Sequence, residues 1–194
     1  MLMTLLCVVA VVAVGCTRKG DQPDTTGTAG ATTSVSTVTA GPTVTNSAVE
    51  QAAESAATAT YLNLQRTYDR AARSANYRDT AIDRYSGDPV RHQLHAYLFE
   101  MARSGIVQMV RGEPPAYAPE PVSVDLASDP PQIVIHDCPD SRDVFAVFKG
   151  NGRSAEPSGA PYQPHRKHPV TATVRRYGGR WLVVELGGSR AETC

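Results

Sequence analysis

Residues 168–186, HPVTATVRRYGGRWLVVEL, have the pattern of two strands joined by a two-residue turn at Gly178 and Gly179. Adjacent glycines suit such a turn because both positions of a type I′ hairpin loop need a positive φ. The flanking segments are rich in β-branched and aromatic residues, which favour strands. The C-terminal part of the chain is therefore predicted to form an antiparallel β-hairpin.

Four further strand candidates precede this hairpin, at residues 106–112, 121–127, 131–138 and 143–150. Each is rich in Val, Ile or Phe and is bounded by residues that favour turns. Residues 153–167 contain too many Pro and Gly for a core strand and are predicted to form an exposed loop or edge.

Helical patterns come before the strands. The first begins near Ser47, which has capping-box spacing with Glu50, and runs to about residue 75, with Tyr61, Leu64 and Tyr68 on one face. A short turn and a second helix, ended by Gly105, follow. Helices first and strands after indicate an α+β domain: a long N-terminal helix plus shorter helices packed on a curved antiparallel sheet of about five or six strands.

The N-terminus has the features of an export signal. Residues 5–14 are almost wholly apolar, but a membrane-spanning helix needs about 20 such residues, so residues 1–15 are predicted to be a secretory signal peptide. Residues 13–16, AVGC, resemble the lipobox of bacterial lipoproteins, and this resemblance implies that Cys16 carries a lipid. The alternative is an ordinary cleaved signal with an unmodified Cys16.

Residues 17–46 contain ten Thr and no aromatic residue. Such a segment cannot bury enough apolar surface to offset the entropy cost of ordering it. We therefore predict a disordered Thr-rich tether over residues 16–46, with a root-mean-square reach of about 30 Å, and a cone-like domain over residues 47–194. The same composition would suit an O-glycosylated stalk.

The cysteines fit this organisation. Cys7 would leave with the signal and Cys16 would carry the lipid, so Cys138 and Cys194 remain as a pair. In an oxidising compartment such a pair is expected to form a disulfide, worth about 4 kcal/mol in the chain-entropy model. Two free thiols are the alternative.

The charge is balanced, with 19 Lys and Arg against 19 Asp and Glu. This balance gives no electrostatic case for binding nucleic acid or an anionic membrane surface.

The order of one long helix, shorter helices and then strands resembles the nuclear-transport-factor-2-like cone fold. Several strings, among them YSGDP, RGEPP, DPPQIVIHDCPD and the terminal Cys194, resemble a family of actinobacterial secreted lipoproteins over roughly residues 55–194. The resemblance implies an exported, membrane-tethered domain whose function is mostly unassigned. The wider fold includes ketosteroid isomerases, polyketide cyclases and non-catalytic modules, so it does not decide activity.

A cone-fold isomerase would need a carboxylate base and a hydrogen-bond donor in an apolar cavity. The candidate cavity polar groups, by residue type, are Tyr68, Tyr85, Tyr97 and His136, with Asp83 and Glu185 as carboxylates. No spacing singles them out, and core aromatics with solvated hydroxyls are the favoured interpretation.

The cluster HDCPD, with His136, Asp137 and Asp140, fits a capped turn better than a metal site. The pairs His92/His95 and His165/His168 are expected to be solvated. No metal or cofactor is predicted.

A small basic and aromatic region lies at the last hairpin, formed by Arg175, Arg176, Arg180, Arg190, Tyr177 and Trp181. It is either a solvated strand end or a surface for an acidic partner.

The sequence thus favours a non-catalytic lipoprotein on the outer face of the cytoplasmic membrane, or a secreted protein. Its partner would be an envelope protein or a small apolar ligand, and not nucleic acid. The alternative is a cone-fold isomerase or cyclase acting on a small apolar substrate.

Overall fold

The computed structural model describes residues 47–155, 167–189 and 192–194, which belong to one compact unit. The predicted signal peptide, lipidated Cys16 and tether lie outside these residues, as do His165 and Arg190.

Helix α1 (Ala48–Ala72) begins at the predicted capping box. The amide of Glu50 donates to Ser47 Oγ at 3.2 Å, and the Ser47 amide donates to Glu50 Oε2 at 2.7 Å, so each residue satisfies an amide of the other. The helix ends earlier than predicted, and Ala75 just beyond it has a positive φ of 52°. A helical conformation cannot continue through such a residue.

A short 3-10 helix (Ile82–Arg84) and helix α2 (Val90–Arg103) follow. Val90, Leu98 and Met101 form the buried stripe of α2. Gly105, with a φ of 66°, follows α2 and precedes the first strand, as predicted.

The described residues contain six strands after α2: β1 (Ile106–Val110), β2 (Glu120–Asp125), β3 (Gln132–Asp137), β4 (Val144–Phe148), β5 (Val170–Tyr177) and β6 (Arg180–Gly188). All pairings between them are antiparallel. Tyr177 pairs with Arg180 across Gly178 and Gly179, whose φ angles are 54° and 82°. The predicted two-residue hairpin is therefore confirmed.

The fold class is the predicted cone-like α+β arrangement, but the strands divide between two sheets rather than one. Strands β2-β3-β5-β6 form a four-stranded sheet, and β1 pairs with β4 as a separate two-stranded sheet. The link from β1 to β2 contains Pro114, Pro115 and Pro119, which have no amide to donate to a neighbouring strand. The chain leaves the two-stranded sheet along this link, returns to it for β4 and then re-enters the four-stranded sheet with β5.

The core contains side chains from both helices, the 3-10 helix and the sheets. Leu64, Ile82, Leu98, Ile135 and Val183 are fully buried. Burying one such aliphatic side chain contributes about 1.5–3 kcal/mol.

The segment after the 3-10 helix runs along the edge of β6. The Val183 amide donates to the Tyr85 carbonyl and the Gly87 amide donates to the Val183 carbonyl, both at 2.9 Å. A Cβ on Gly87 would lie 3.0 Å from Val184 Cγ1, so a glycine permits this close approach. The contacts place Arg84 beside the start of β6.

Candidate functional site

A buried pair of polar side chains joins α1 to β3. The hydroxyl of Tyr61, which is fully buried on α1, donates to Asp137 Oδ2 at 2.9 Å. Asp137 points inward because side chains alternate along β3: Ile133, Ile135 and Asp137 are buried, whereas His136 is exposed.

The carboxylate of Asp137 has three donors. Besides the Tyr61 hydroxyl, the amides of Ala118 and Cys138 donate to Oδ1 at 2.9 and 2.7 Å. These three donors satisfy the acceptor oxygens of the buried carboxylate. Asp137 therefore connects α1, β3 and the link before β2.

A second hydroxyl–carboxylate pair lies eight residues further along α1. The hydroxyl of Tyr117, in the link before β2, donates to Asp69 Oδ2 at 2.7 Å. Burial raises the pKa of the Asp69 carboxyl, although the hydrogen bond from Tyr117 and the charge of Arg73 oppose that rise. The pKa values of both tyrosine hydroxyls are raised, first by burial and then by the adjacent carboxylates.

This arrangement limits the chemistry that the two pairs can perform. An isomerase needs a base and a donor that both face the substrate, but here each hydroxyl donates to the carboxylate of its own pair. In the described part of the chain, every buried polar side-chain atom has a hydrogen-bond partner. The network thus acts as a structural joint between α1 and the strands.

The joint is next to the disulfide. Cys138, which directly follows Asp137, is bonded to Cys194, with Cα atoms 6.2 Å apart and a sequence separation of 56. This separation is in the normal range for disulfides. The C-terminal residue is therefore attached to the end of β3, as the sequence predicted.

The predicted cavity polar groups do not form one site. Tyr97 is 51% exposed on α2, and His136 is exposed on the outer face of β3, so neither lies in the interior. Tyr68 and Tyr85 are half-buried against the core, and the Tyr68 ring lies 6.4 Å from that of Tyr97. The two hydroxyl–carboxylate pairs described above belong instead to Tyr61 and Tyr117, which residue type alone did not select.

The two candidate carboxylates, Asp83 and Glu185, are also bound to other side chains. Glu185 faces out and accepts hydrogen bonds from Thr173 and Arg175, at 2.9 and 3.2 Å. Asp83 Oδ1 lies 2.8 Å from His95 Nε2, so Asp83 connects the 3-10 helix to α2.

His95 is held at both ring nitrogens. Its Nδ1 lies 2.7 Å from the Tyr77 carbonyl, while Nε2 faces Asp83. Partial burial lowers the pKa of His95, but the two hydrogen bonds outweigh it and the net pKa is raised. With both nitrogens occupied by acceptors, His95 is not available as a general base.

The turn after β3 contains an ion cluster. The Arg142 guanidinium donates to Asp140 through Nε and Nη2, both at 2.8 Å, and holds the pKa of that carboxyl at about 2. Lys167 Nζ is 3.5 Å from the same carboxylate. Within residues 47–155, 167–189 and 192–194, no group of three His, Cys, Asp or Glu side chains could hold a metal ion.

None of the helices in the described ranges is long and apolar enough to cross a membrane. No protein-family model matches the chain, and no curated protein matches it. Among solved structures, the intermembrane-space region of the chloroplast protein ARC6 is similar, with a TM-score of 0.45 and 11% sequence identity. That match covers 72% of this chain and 95% of the other, and a likeness at this level carries no argument about function.

Two features of the sequence point toward the Tyr61–Asp137 contact. Tyr61, Gln65 and Asp69 follow at intervals of four on α1, which places polar groups in a row beside an apolar face. In the strand QIVIHD, alternation puts Asp137 on the same side as Ile133 and Ile135. A carboxylate on a buried strand face indicates a partner in the interior.

Proposed function

We propose that this chain is an exported, lipid-anchored protein whose cone-like domain is a non-catalytic binding module on the outer face of the cytoplasmic membrane. The observation that carries the non-catalytic part is the pairing of Asp137 and Asp69 with Tyr61 and Tyr117. A catalytic carboxylate must be free to reach substrate, and these two are used to hold the fold together.

The proposed location is supported by the cysteines. A disulfide between Cys138 and Cys194 persists in oxidising compartments and is rare in reducing ones. The apolar residues 5–14 followed by AVGC supply an export signal and a lipid attachment site, so Cys16 would anchor the domain through the Thr-rich tether. The partner would be an envelope protein or a small apolar ligand.

Membrane fractionation with acyl labelling tests the anchor. Wild-type protein should label with fatty acid and sediment with membranes, whereas Cys16→Ser should lose the label and either remain unprocessed or appear in the soluble fraction. Cys7→Ser is the matched control, because Cys7 would leave with the signal. Equal labelling of the wild type and Cys16→Ser would refute the anchor.

The alternative, a cone-fold isomerase or cyclase, has one observation in its favour. Asp69 has a pKa raised by burial, which is a property of many catalytic acids. Mass spectrometry of small molecules that co-purify with the mature protein separates the two functions. A bound molecule that the protein converts to product, with conversion lost in Asp69→Asn, would establish the enzyme.

A further inference from the structure

The turn of the β5–β6 hairpin projects from the sheet. A Cβ placed on Gly178 or Gly179 would meet no atom within 4 Å. Behind the turn, Tyr177 pairs with Arg180 and Arg176 pairs with Trp181. Because directly opposed residues of an antiparallel pair share a face, each face of the hairpin end carries one arginine and one aromatic residue.

The structure changes which arginines belong to this surface. Arg175 is bound to Glu185 at 3.2 Å and to Gln132 at 3.3 Å, so its charge is already paired. The backbone of Arg84 lies next to Arg180, since the Arg180 guanidinium donates to the Arg84 carbonyl at 3.1 Å. We call Arg84, Arg176, Tyr177, Arg180 and Trp181 the hairpin surface.

Its three arginines lack acidic partners. Arg84, Arg176 and Arg180 are exposed, and none of them forms a salt bridge within the described residues. The neighbouring β2–β3 turn carries Asp125 and Asp129. Asp125 accepts hydrogen bonds from amides of its own turn, and neither aspartate pairs with the three arginines.

The exposed tyrosine, together with the proposed tether, favours a lipid surface as the partner. Tyr177 is 44% exposed at the projecting end, and Trp181 is half-buried with its ring against the core. Tyrosine and tryptophan prefer the headgroup region of membranes, where one end of the ring is apolar and the other is hydrated. Arginines beside them attract anionic headgroups.

We propose that the hairpin surface docks end-on on an anionic membrane, with its turn toward the lipid, so that Arg176 and Arg180 on opposite faces of the hairpin both reach lipid phosphates and Tyr177 lies at the headgroup level. The inference rests on the proposed tether, which keeps the domain close to lipid. The balanced charge of the whole chain does not oppose it, because charges beyond about 8–10 Å are screened at physiological salt.

Vesicle co-sedimentation tests the docking. The mature chain from residue 16, with Cys16→Ser so that no acyl group can contribute, is mixed with vesicles of phosphatidylglycerol and phosphatidylcholine or of phosphatidylcholine alone. Binding is expected only to the anionic vesicles and should weaken as salt is raised. The double variant R176Q/R180Q should bind roughly 30-fold more weakly, at about one kcal/mol for each arginine.

The matched control is R66Q/R153Q, which removes the same charge from exposed positions on α1 and beside β4. It should bind like the parent chain, and circular dichroism should show that both variants are folded. A Tyr177→Ala variant, which leaves the charge unchanged, should also bind more weakly. Equal loss in hairpin and control variants, or no binding to anionic vesicles, would overturn the proposal.

A further arm uses a polyglutamate peptide. Binding to the peptide but not to vesicles would likewise overturn membrane docking, in favour of an acidic protein partner. The chain used with vesicles has no lipid anchor, so an absence of vesicle binding would not contradict the anchor. Equally, a negative result in the Cys16 fractionation would not change the measured binding of the hairpin surface to vesicles.

Discussion

Tyr61 and Asp137 are 76 residues apart in sequence, yet the Tyr61 hydroxyl donates to the Asp137 carboxylate at 2.9 Å inside the core. The contact joins the middle of α1 to the last residue of β3, one residue before the disulfide. The long helix is therefore fixed to the sheet by a directional bond as well as by apolar packing. The pair is therefore a buried polar link between α1 and β3.

Removing the Tyr61 hydroxyl should destabilise the protein. In Tyr61→Phe, Asp137 Oδ2 loses its donor while remaining buried, and leaving such a group unsatisfied costs about 1–3 kcal/mol. Urea unfolding measures the change. Tyr97→Phe is the control, because that side chain is 51% exposed and its hydroxyl can be solvated. Equal stability of Tyr61→Phe and wild type would show that the hydrogen bond contributes nothing net.

Breaking the disulfide should lower the melting temperature. Cys194→Ser releases residue 194 from the end of β3. It removes a cross-link between positions 56 apart in sequence, and in the chain-entropy model this cross-link stabilises the fold by about 4 kcal/mol. For a domain of this size the loss corresponds to roughly 10 °C. Adding a reductant should bring the wild type to the melting temperature of the variant. A difference that persists after full reduction would point to a cause other than the disulfide.

Local signals in the sequence predicted much of the fold. The capping box at Ser47 and Glu50 located the start of α1, and the paired glycines at 178 and 179 located the last hairpin. Such features depend on neighbours within a few residues, so they can be recognised without tertiary information. The pairing of Cys138 with Cys194 followed from counting the cysteines on the expectation that the chain is exported.

The division into two sheets and the polar joint could not be predicted in this way. The pairing of β1 with β4 and the contact of Tyr61 with Asp137 depend on how distant segments pack. The alternation of β3 indicates that Asp137 is buried, and the spacing on α1 sets polar groups beside an apolar face, but neither identifies Tyr61 as the partner of Asp137. The choice of Tyr97 and His136 as interior groups failed for the same reason, since residue type does not determine exposure.

His95 should make stability depend on pH near neutrality. Its pKa is raised above the ordinary value of 6.5, because the hydrogen bonds to Asp83 and the Tyr77 carbonyl outweigh burial and the nearby charge of Arg91. The protonated form is thus favoured by folding. Its contribution is fully present below about pH 6.5 and is lost as the pH rises through the folded pKa.

The His95 effect can be measured by urea unfolding at roughly pH 6 and pH 9, on either side of the titration. Wild type should lose stability over this interval by more than His95→Gln does. His92→Gln is the control, because His92 lies on the same helix but is exposed. Two-dimensional NMR of the ring should also show protons on both nitrogens of His95 at the lower pH. Identical pH profiles for wild type and His95→Gln would contradict the expectation.

Variants of Asp69 and Tyr117 distinguish the stability contributed by their hydrogen bond from the cost of burying the Asp69 charge. Asp69→Asn keeps an acceptor for the Tyr117 hydroxyl and removes the partly buried anion, whose pKa is raised above 3.8 mainly by burial. Since folding favours protonated Asp69, the wild type gains stability as the pH falls through the folded pKa and loses it as the pH rises. Asp69→Asn should therefore be more stable than wild type at pH 7, and the difference should shrink as the pH falls through the folded pKa. Tyr117→Phe, which leaves Asp69 without its donor, should instead cost about 1–3 kcal/mol at neutral pH. If Asp69→Asn is destabilised as much as Tyr117→Phe in urea unfolding at pH 7, the negative charge itself is needed beside Arg73, and the joint would be ionic in character.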